Sequence, residues 1–135
     1  MTDAPSDTGP LVQDPVDSPD AASVEAVVRD YIDGWHEGDA QRMERSLHDD
    51  LVKRTVGQDA SAPISLSSVT KTQMVQLTSE GGGRSPGATA QVVVHHVEGD
   101  LASAHVATDD YLDYLHLART GDTWRIVHDL FRQRR

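Results

Sequence analysis

Apolar and polar positions divide the chain into a helical first half and an extended second half. Val24, Val27, Val28, Tyr31, Ile32 and Trp35 recur at spacings of three and four, which puts them on one stripe of an α-helix. Ser18-Pro19-Asp20 is a helix start, and Gly38 is placed to end the helix as a C-cap. Gly34 costs helix stability and points to close packing beside it. Asp39 can cap a second helix over 40–48, with Met43 and Leu47 inward. A first strand is expected over 51–56, then a polar loop over 57–68. Thr70 is placed to cap a third helix over 71–79, carried by Met74, Val75 and Leu77. The run GGGRSPG at 81–87 cannot hold a regular element and reads as a linker.

From Ala88 onward the pattern is β. QVVVHHVE at 91–98 turns at Gly99-Asp100 into LASAHVATD at 101–109. Asp109-Asp110 marks a second reversal. Tyr111–Phe131 then forms a hairpin about Arg119-Thr120-Gly121-Asp122, where the Gly-Asp pair supplies the backbone freedom of a tight turn. Helices segregated from an antiparallel meander make an α+β domain. Three helices of these lengths cover only one face of the sheet. The open face is therefore expected to meet water or a second copy, and a homodimer through that face is the expected assembly.

Composition and charge narrow the partners. The chain has 135 residues, enough for one domain with one core. It has no cysteine, which removes disulfides, zinc–thiolate sites and thiol nucleophiles. The net charge is −10, and Asp3, Asp7, Asp14, Asp17 and Asp20 supply half of it within a Pro-rich stretch over 1–20. That stretch is expected to be a disordered acidic tail, with the domain over 21–135. The acidic surface argues against nucleic acid and anionic membranes as partners. No apolar run reaches the roughly 20 residues of a membrane span, and the N-terminus lacks the basic and apolar parts of a signal peptide. A cytoplasmic location is expected.

The segments Tyr31 to Asp39, Ser46 to Arg54 and Asp113 to Phe131 resemble the nuclear transport factor 2-like superfamily. Within it they are most similar to the branch known as putative lumazine-binding proteins. The resemblance spans 22–131 and is weak over 57–87. Asp49 stands where that branch usually has proline. The resemblance implies a cone-shaped α+β barrel, in which three N-terminal helices pack on a curved antiparallel sheet around an apolar pocket. This fold hosts isomerases, cyclases, dehydratases, epoxide hydrolases and non-enzymatic adaptors, so fold alone does not assign activity.

Resemblance to ketosteroid isomerases singles out Tyr31, eight residues before Asp39 of the Gly-Asp pair, and Asp113. In those enzymes a Tyr and a protonated carboxylic acid donate to an enolate oxygen in a dry pocket. Asp113 lies in an apolar run between Leu112 and Leu115, which favours its neutral form. The plainer reading is a core Tyr31 and an Asp113 paired with Lys53 or Arg54, one of which should point inward. The carboxylate base of those isomerases would fall near Thr55, and a hydroxyl is a poor base. Histidine is the substitute to consider.

Of seven histidines, His48 and His116 fall within the family motifs. His48 has a plain alternative as a helix-end or backbone partner. His116 faces away from Asp113 if its strand is regular. The ending WRIVHDLF, with His128 and Asp129, is similar to that of SnoaL-type polyketide cyclases. Which of His128 and Asp129 faces inward depends on a register that one residue of slip reverses. His95 and His96 are strand neighbours that point apart, and no His-x-His pair or HExxH helix is present, so no metal is expected. No cofactor is expected either. Sheet packing could still gather His95, His105 and His116 on one face.

The expected function is binding of an apolar or aromatic small molecule, with isomerase, cyclase or dehydratase action on a polyketide- or steroid-like carbonyl compound as the alternative. A dimeric adaptor is the third possibility. The candidate catalytic residues are Tyr31, Asp113 and His116, and the candidate ligand contacts are Trp35, His48, Lys53 and His128.

Overall fold

The computed structural model describes residues 18–57 and 66–134. Residues 1–17 of the expected tail over 1–20, and most of the expected loop over 57–68, lie outside the described residues. Helix α1 (Pro19–Glu37) starts on the signals that predict it. The Ser18 side chain accepts from the Ala21 amide, proline opens the first turn, and Gly38 closes the helix at φ 71°. Pro19 and Asp20, expected in the tail, belong to this helix. Gly34 is where α1 meets α2 (Ala40–Ser46). A Cβ there would lie 3.0 Å from Arg42 Cβ, so any larger residue would have to push the two helices slightly apart. Asp39 caps α2 through the amides of Gln41 and Arg42.

Strand β1 (Leu47–Val56) begins four residues earlier than expected, at the cost of the last turn of α2. The Ser46 hydroxyl donates to the Met43 carbonyl and closes that helix. β2 (Leu66–Val69) lies where a loop is expected. Its Leu66, Ser67 and Ser68 are all exposed, so it has no alternation to read, and it is held by antiparallel pairing with residues 53–56. Helix α3 (Lys71–Ser79) carries the Thr70–Gln73 capping box. Met74 is buried and Val75 half-buried, whereas Leu77 is exposed.

Strands β3 (Gln91–Glu98), β4 (Leu101–Ala107), β5 (Tyr111–Thr120) and β6 (Thr123–Gln133) form the expected meander. The six-stranded sheet runs β2-β1-β6-β5-β4-β3. It is mixed rather than wholly antiparallel, because β1 lies parallel to β6. It is also open: β2 and β3 are its edges. The helices cover one face, which gives a cone-shaped α+β fold.

Val24 and Val28 of α1, Met43 of α2, and Leu47, Val106, Leu115, Leu117 and Ile126 of the sheet are fully buried in one core. Each such aliphatic side chain contributes about 1.5–3 kcal/mol. No helix among the described residues is long and apolar enough to cross a membrane.

Of three register shifts in the sheet, one lies on β1 between Leu47 and Val52, and the other two decide which side chains of β6 and β3 reach which face. Leu117 pairs with Ile126 but His116 pairs with His128, so Val127 is an extra residue on β6. Likewise Val94 pairs with Ala104 but His96 with Ser103, leaving His95 extra on β3. Such bulges twist and bend a strand locally and reset its alternation.

Candidate functional site

One end of the cone holds a cavity of about 120 Å³ between α1, α3 and the sheet. Its apolar lining comes from Ile32, Trp35, Val69, Met74, Leu77, Tyr111 and Phe131. Its polar wall comes from Tyr31, Lys53 and Asp113. The volume is close to that of the ~150 Å³ apolar cavities that accept benzene.

Each polar side chain arrives by local pattern. Tyr31 extends the α1 stripe one turn beyond Val28. Lys53 follows Leu51 by two on β1, and Asp113 precedes Leu115 by two on β5, so both share the inward face of their strands. Asp129 joins them from β6. Regular alternation from Trp124 and Ile126 would turn Asp129 outward and His128 inward. The Val127 bulge reverses this and buries Asp129 at 3 % exposure.

The four groups form one closed set. The Tyr31 hydroxyl lies 2.8 Å from Asp113 Oδ2 and 2.9 Å from Asp129 Oδ2. It has a single proton, so it donates to one carboxyl at a time. Lys53 Nζ donates to the Tyr31 oxygen and sits 2.6 Å from Asp129 Oδ2 and 3.5 Å from Asp113 Oδ2. The ammonium also lies 4.1 Å from the centre of the Phe131 ring. Asp129 is thus the principal counter-ion of Lys53. Burial, and then the neighbouring Asp129 charge, raise the Asp113 carboxyl to about 8, against the opposing pull of Lys53. Burial raises the Tyr31 hydroxyl well above its usual value, and the nearby carboxylates push it the same way. Burial pulls the Lys53 ammonium down, but the two aspartates outweigh it and raise it above its ordinary value. At neutral pH the set is therefore an ion pair, Lys53 with Asp129, beside a neutral phenol and a largely protonated acid. Asp129 Oδ1 is buried with no hydrogen-bond partner among the described residues.

The glycine run packs against Trp35, a residue of the wall. A methyl on Gly83 would lie 2.1 Å from Trp35 Cε2, so the loop lies flat against the Trp35 ring. The Gly82 amide donates to the Leu77 carbonyl and the Ser85 amide to that of His36, which fastens the loop to α3 and α1.

Of the expected site residues, Tyr31, Trp35, Lys53 and Asp113 meet at this cavity. His116 and His128 do not. They lie on the outer face of the sheet with both rings exposed, so neither reaches Asp113. The cause is the two-residue alternation on β5 and the Val127 bulge on β6. His48 is also away from the cavity, where its Nδ1 accepts from the Asp50 amide in a local turn. Asp129 is the member whose direction the sequence leaves open, and only long-range pairing of β5 with β6 reveals it. Tyr111 and Phe131 are lining residues that the sequence reading misses, although both sit inward by counting in twos from Asp113 and Asp129. Among the described residues, no group of three or more His, Cys, Asp or Glu side chains could hold a metal ion.

The sequence profile of the family described as "Putative lumazine-binding" matches residues 19–132. The chain belongs to that family. Solved structures agree on the fold of this lumazine-binding family member as nuclear transport factor 2-like. A nuclear transport factor 2-like protein of unknown function from Shewanella baltica is 19% identical and superposes with a TM-score of 0.73, over 86% of this chain and 94% of that one. One from Methylobacillus flagellatus is 18% identical with a TM-score of 0.73, over 94% and 100%. A ketosteroid isomerase-like protein from Erwinia carotovora is 13% identical with a TM-score of 0.64, over 87% and 98%. No curated protein matches the chain.

Proposed function

We propose that this chain binds a small molecule that places one ring in the cavity and turns a carbonyl-type acceptor toward Asp113. The observation that carries this reading is an apolar cavity with a single polar wall, whose charges are already paired within the protein. Such a wall offers the ligand hydrogen bonds without asking it to neutralise a buried ion. The Asp113 acid has a proton to give, whereas the three Lys53 N–H groups already go to Tyr31, Asp129 and, at 3.5 Å, Asp113 itself.

The alternative is an enzyme acting on a polyketide- or steroid-like carbonyl compound, and the Tyr31–Asp113 contact is its support. Proton abstraction from carbon also needs a base within reach of the substrate. Thr55 does not line the cavity, and the histidines His116 and His128 face away from it. Asp129 is held by Lys53. Binding is therefore the better reading.

The family's description suggests lumazine, a fused bicyclic dione, as the first probe. One of its rings matches the cavity, and the other would extend past Val69 and the exposed Leu77. Titration of the full chain with lumazine, followed by tryptophan fluorescence, should saturate in the micromolar range. Asp113→Leu should weaken it about tenfold, the loss of one buried hydrogen bond. Asp113→Asn keeps a donor and should bind within about threefold of the unsubstituted chain. No saturation, or equal affinity in Asp113→Leu, would count against the reading.

The outer face supports a second element of the proposal, a homodimer. Val52, Tyr114 and Leu130 are 41%, 54% and 46% exposed on adjacent strands, a patch that a second copy of the same face would cover.

A further inference from the structure

We propose that His116 and His128 form half of a zinc-type metal site, completed by the same two residues of a second copy. These residues are direct cross-strand partners on β5 and β6. Their Nδ1 atoms stand 3.3 Å apart with the rings tilted at 68°. Two ligands of one tetrahedral ion, each at about 2.0–2.1 Å, are separated by about 3.3–3.4 Å, so the pair already has the spacing of a chelate. His95 and His105, on the same face, provide an internal contrast. Their ring nitrogens are 2.6 Å apart, which fits a shared proton and is too close for two ligands of one tetrahedral ion.

The surroundings favour an ion that prefers imidazole. Ser103 flanks His116 and Val52 flanks His128 in the same cross-strand row. Tyr114 and Leu130 form the next row, with Arg54 beyond Leu130. The carboxylates that border the same hollows have other partners, Asp129 being paired with Lys53 and Glu98 lying 3.6 Å from His96, so calcium and magnesium lack free oxygen ligands, while zinc, cobalt, nickel and copper suit imidazole. Among the described residues one chain supplies two ligands here, and a closed zinc site needs four. A two-fold axis passing through the ion, beside the exposed patch, would bring the second pair opposite the first and give a four-imidazole site. This inference rests on the homodimer reading above, and the ion would lock the two sheets together.

The test uses the full chain without a histidine tag. Calorimetric titration with zinc chloride gives stoichiometry, and sedimentation velocity in EDTA and in zinc gives the assembly. One ion per two chains is expected, with dimerisation at least about tenfold tighter in zinc than in EDTA. His116→Ala and His128→Ala should each weaken uptake at least about tenfold with unchanged circular dichroism, and His95→Ala should leave it unchanged. One ion per chain, absent uptake, or uptake that survives in the double variant would overturn the site. A dimer in EDTA that takes up no zinc overturns the metal site and leaves the dimer standing. A monomer under both conditions overturns both.

Discussion

The two faces of the β5–β6 hairpin put the same backbone to opposite uses. On the inner face, Asp113 and Asp129 are almost sealed from water and must find partners within the protein. They meet Tyr31 from α1 and Lys53 from β1, so four elements are tied at one point. On the outer face, His116 and His128 are solvated and bond to each other across the strands. Burial therefore makes the inner set costly to disturb, whereas water can satisfy any polar group set free on the outer face. His128 and Asp129 are adjacent in sequence, and one extra residue, Val127, decides which belongs to which face.

The largest expected effect comes from breaking the inner set at its cation. Lys53→Met leaves the buried Asp129 carboxylate without a counter-charge, which should cost about 3–5 kcal/mol. The midpoint of thermal unfolding should fall by about 10–20 °C. Adding Asp129→Leu to Lys53→Met removes the orphaned charge and should recover part of that loss. A double variant no more stable than the single one would show that Asp129 is not the chief partner of Lys53.

How far the sequence reveals this arrangement depends on whether each signal is local. The start of α1 at Ser18-Pro19, its end at Gly38 and the Thr70 cap of α3 are short-range chemistry, and each is found where it is read. The Tyr31 stripe and the alternation about Asp113 likewise place both residues on the correct side. β2 escapes because Leu66-Ser67-Ser68-Val69 has no alternation and is defined only by its pairing with β1. The parallel β1–β6 pairing also joins segments far apart in the chain. Asp129 is the most instructive case. Counting in twos from Trp124 and Ile126 sends it to solvent, and no residue in WRIVHDLF announces that Val127 bulges. The mechanism follows from the residues, but its position is set by which β5 residues each half of β6 meets.

A smaller effect is expected at the cavity rim. In Gly83→Ala the new methyl would overlap the Trp35 ring, and the loop is pinned on both sides, so Trp35 must move. Overpacking of this kind costs about 1–3 kcal/mol. Tryptophan emission should shift and lumazine affinity should change, while the inner polar set stays intact. Unchanged emission would mean that the glycine run is not fixed against the ring.

Asp113→Asn sharpens the comparison through pH at still smaller cost, about 1 kcal/mol or less at pH 5. In the folded chain the Asp113 carboxyl lies at about 8, above the ordinary 3.8. Between those values the folded state keeps a proton that the unfolded state releases, so this residue's contribution falls as pH rises through the window. Its stabilisation is complete below about pH 4 and is lost as pH passes 8. Asparagine does not titrate, and the variant should show a flatter decline from pH 5 to pH 8 in thermal unfolding than the unsubstituted chain. Parallel curves would mean that Asp113 is ionised at pH 5.

The smallest change is expected on the outer face, where the comparison predicts near indifference. His95 is exposed, occupies the bulge on β3 and bonds to His105 Nδ1. In His95→Ala that nitrogen can turn to water, so stability in EDTA should stay within about 0.5 kcal/mol. The His105 ring responds even so. Its affinity for a proton is lowered first by partial burial and then by the charge of His95. Removing His95 removes the second cause, so the His105 titration followed by NMR should move up while the unfolding midpoint stays in place. A loss of about 2 kcal/mol or more would erase the contrast between the two faces, because an exposed imidazole pair would then be supporting the fold as the buried set does.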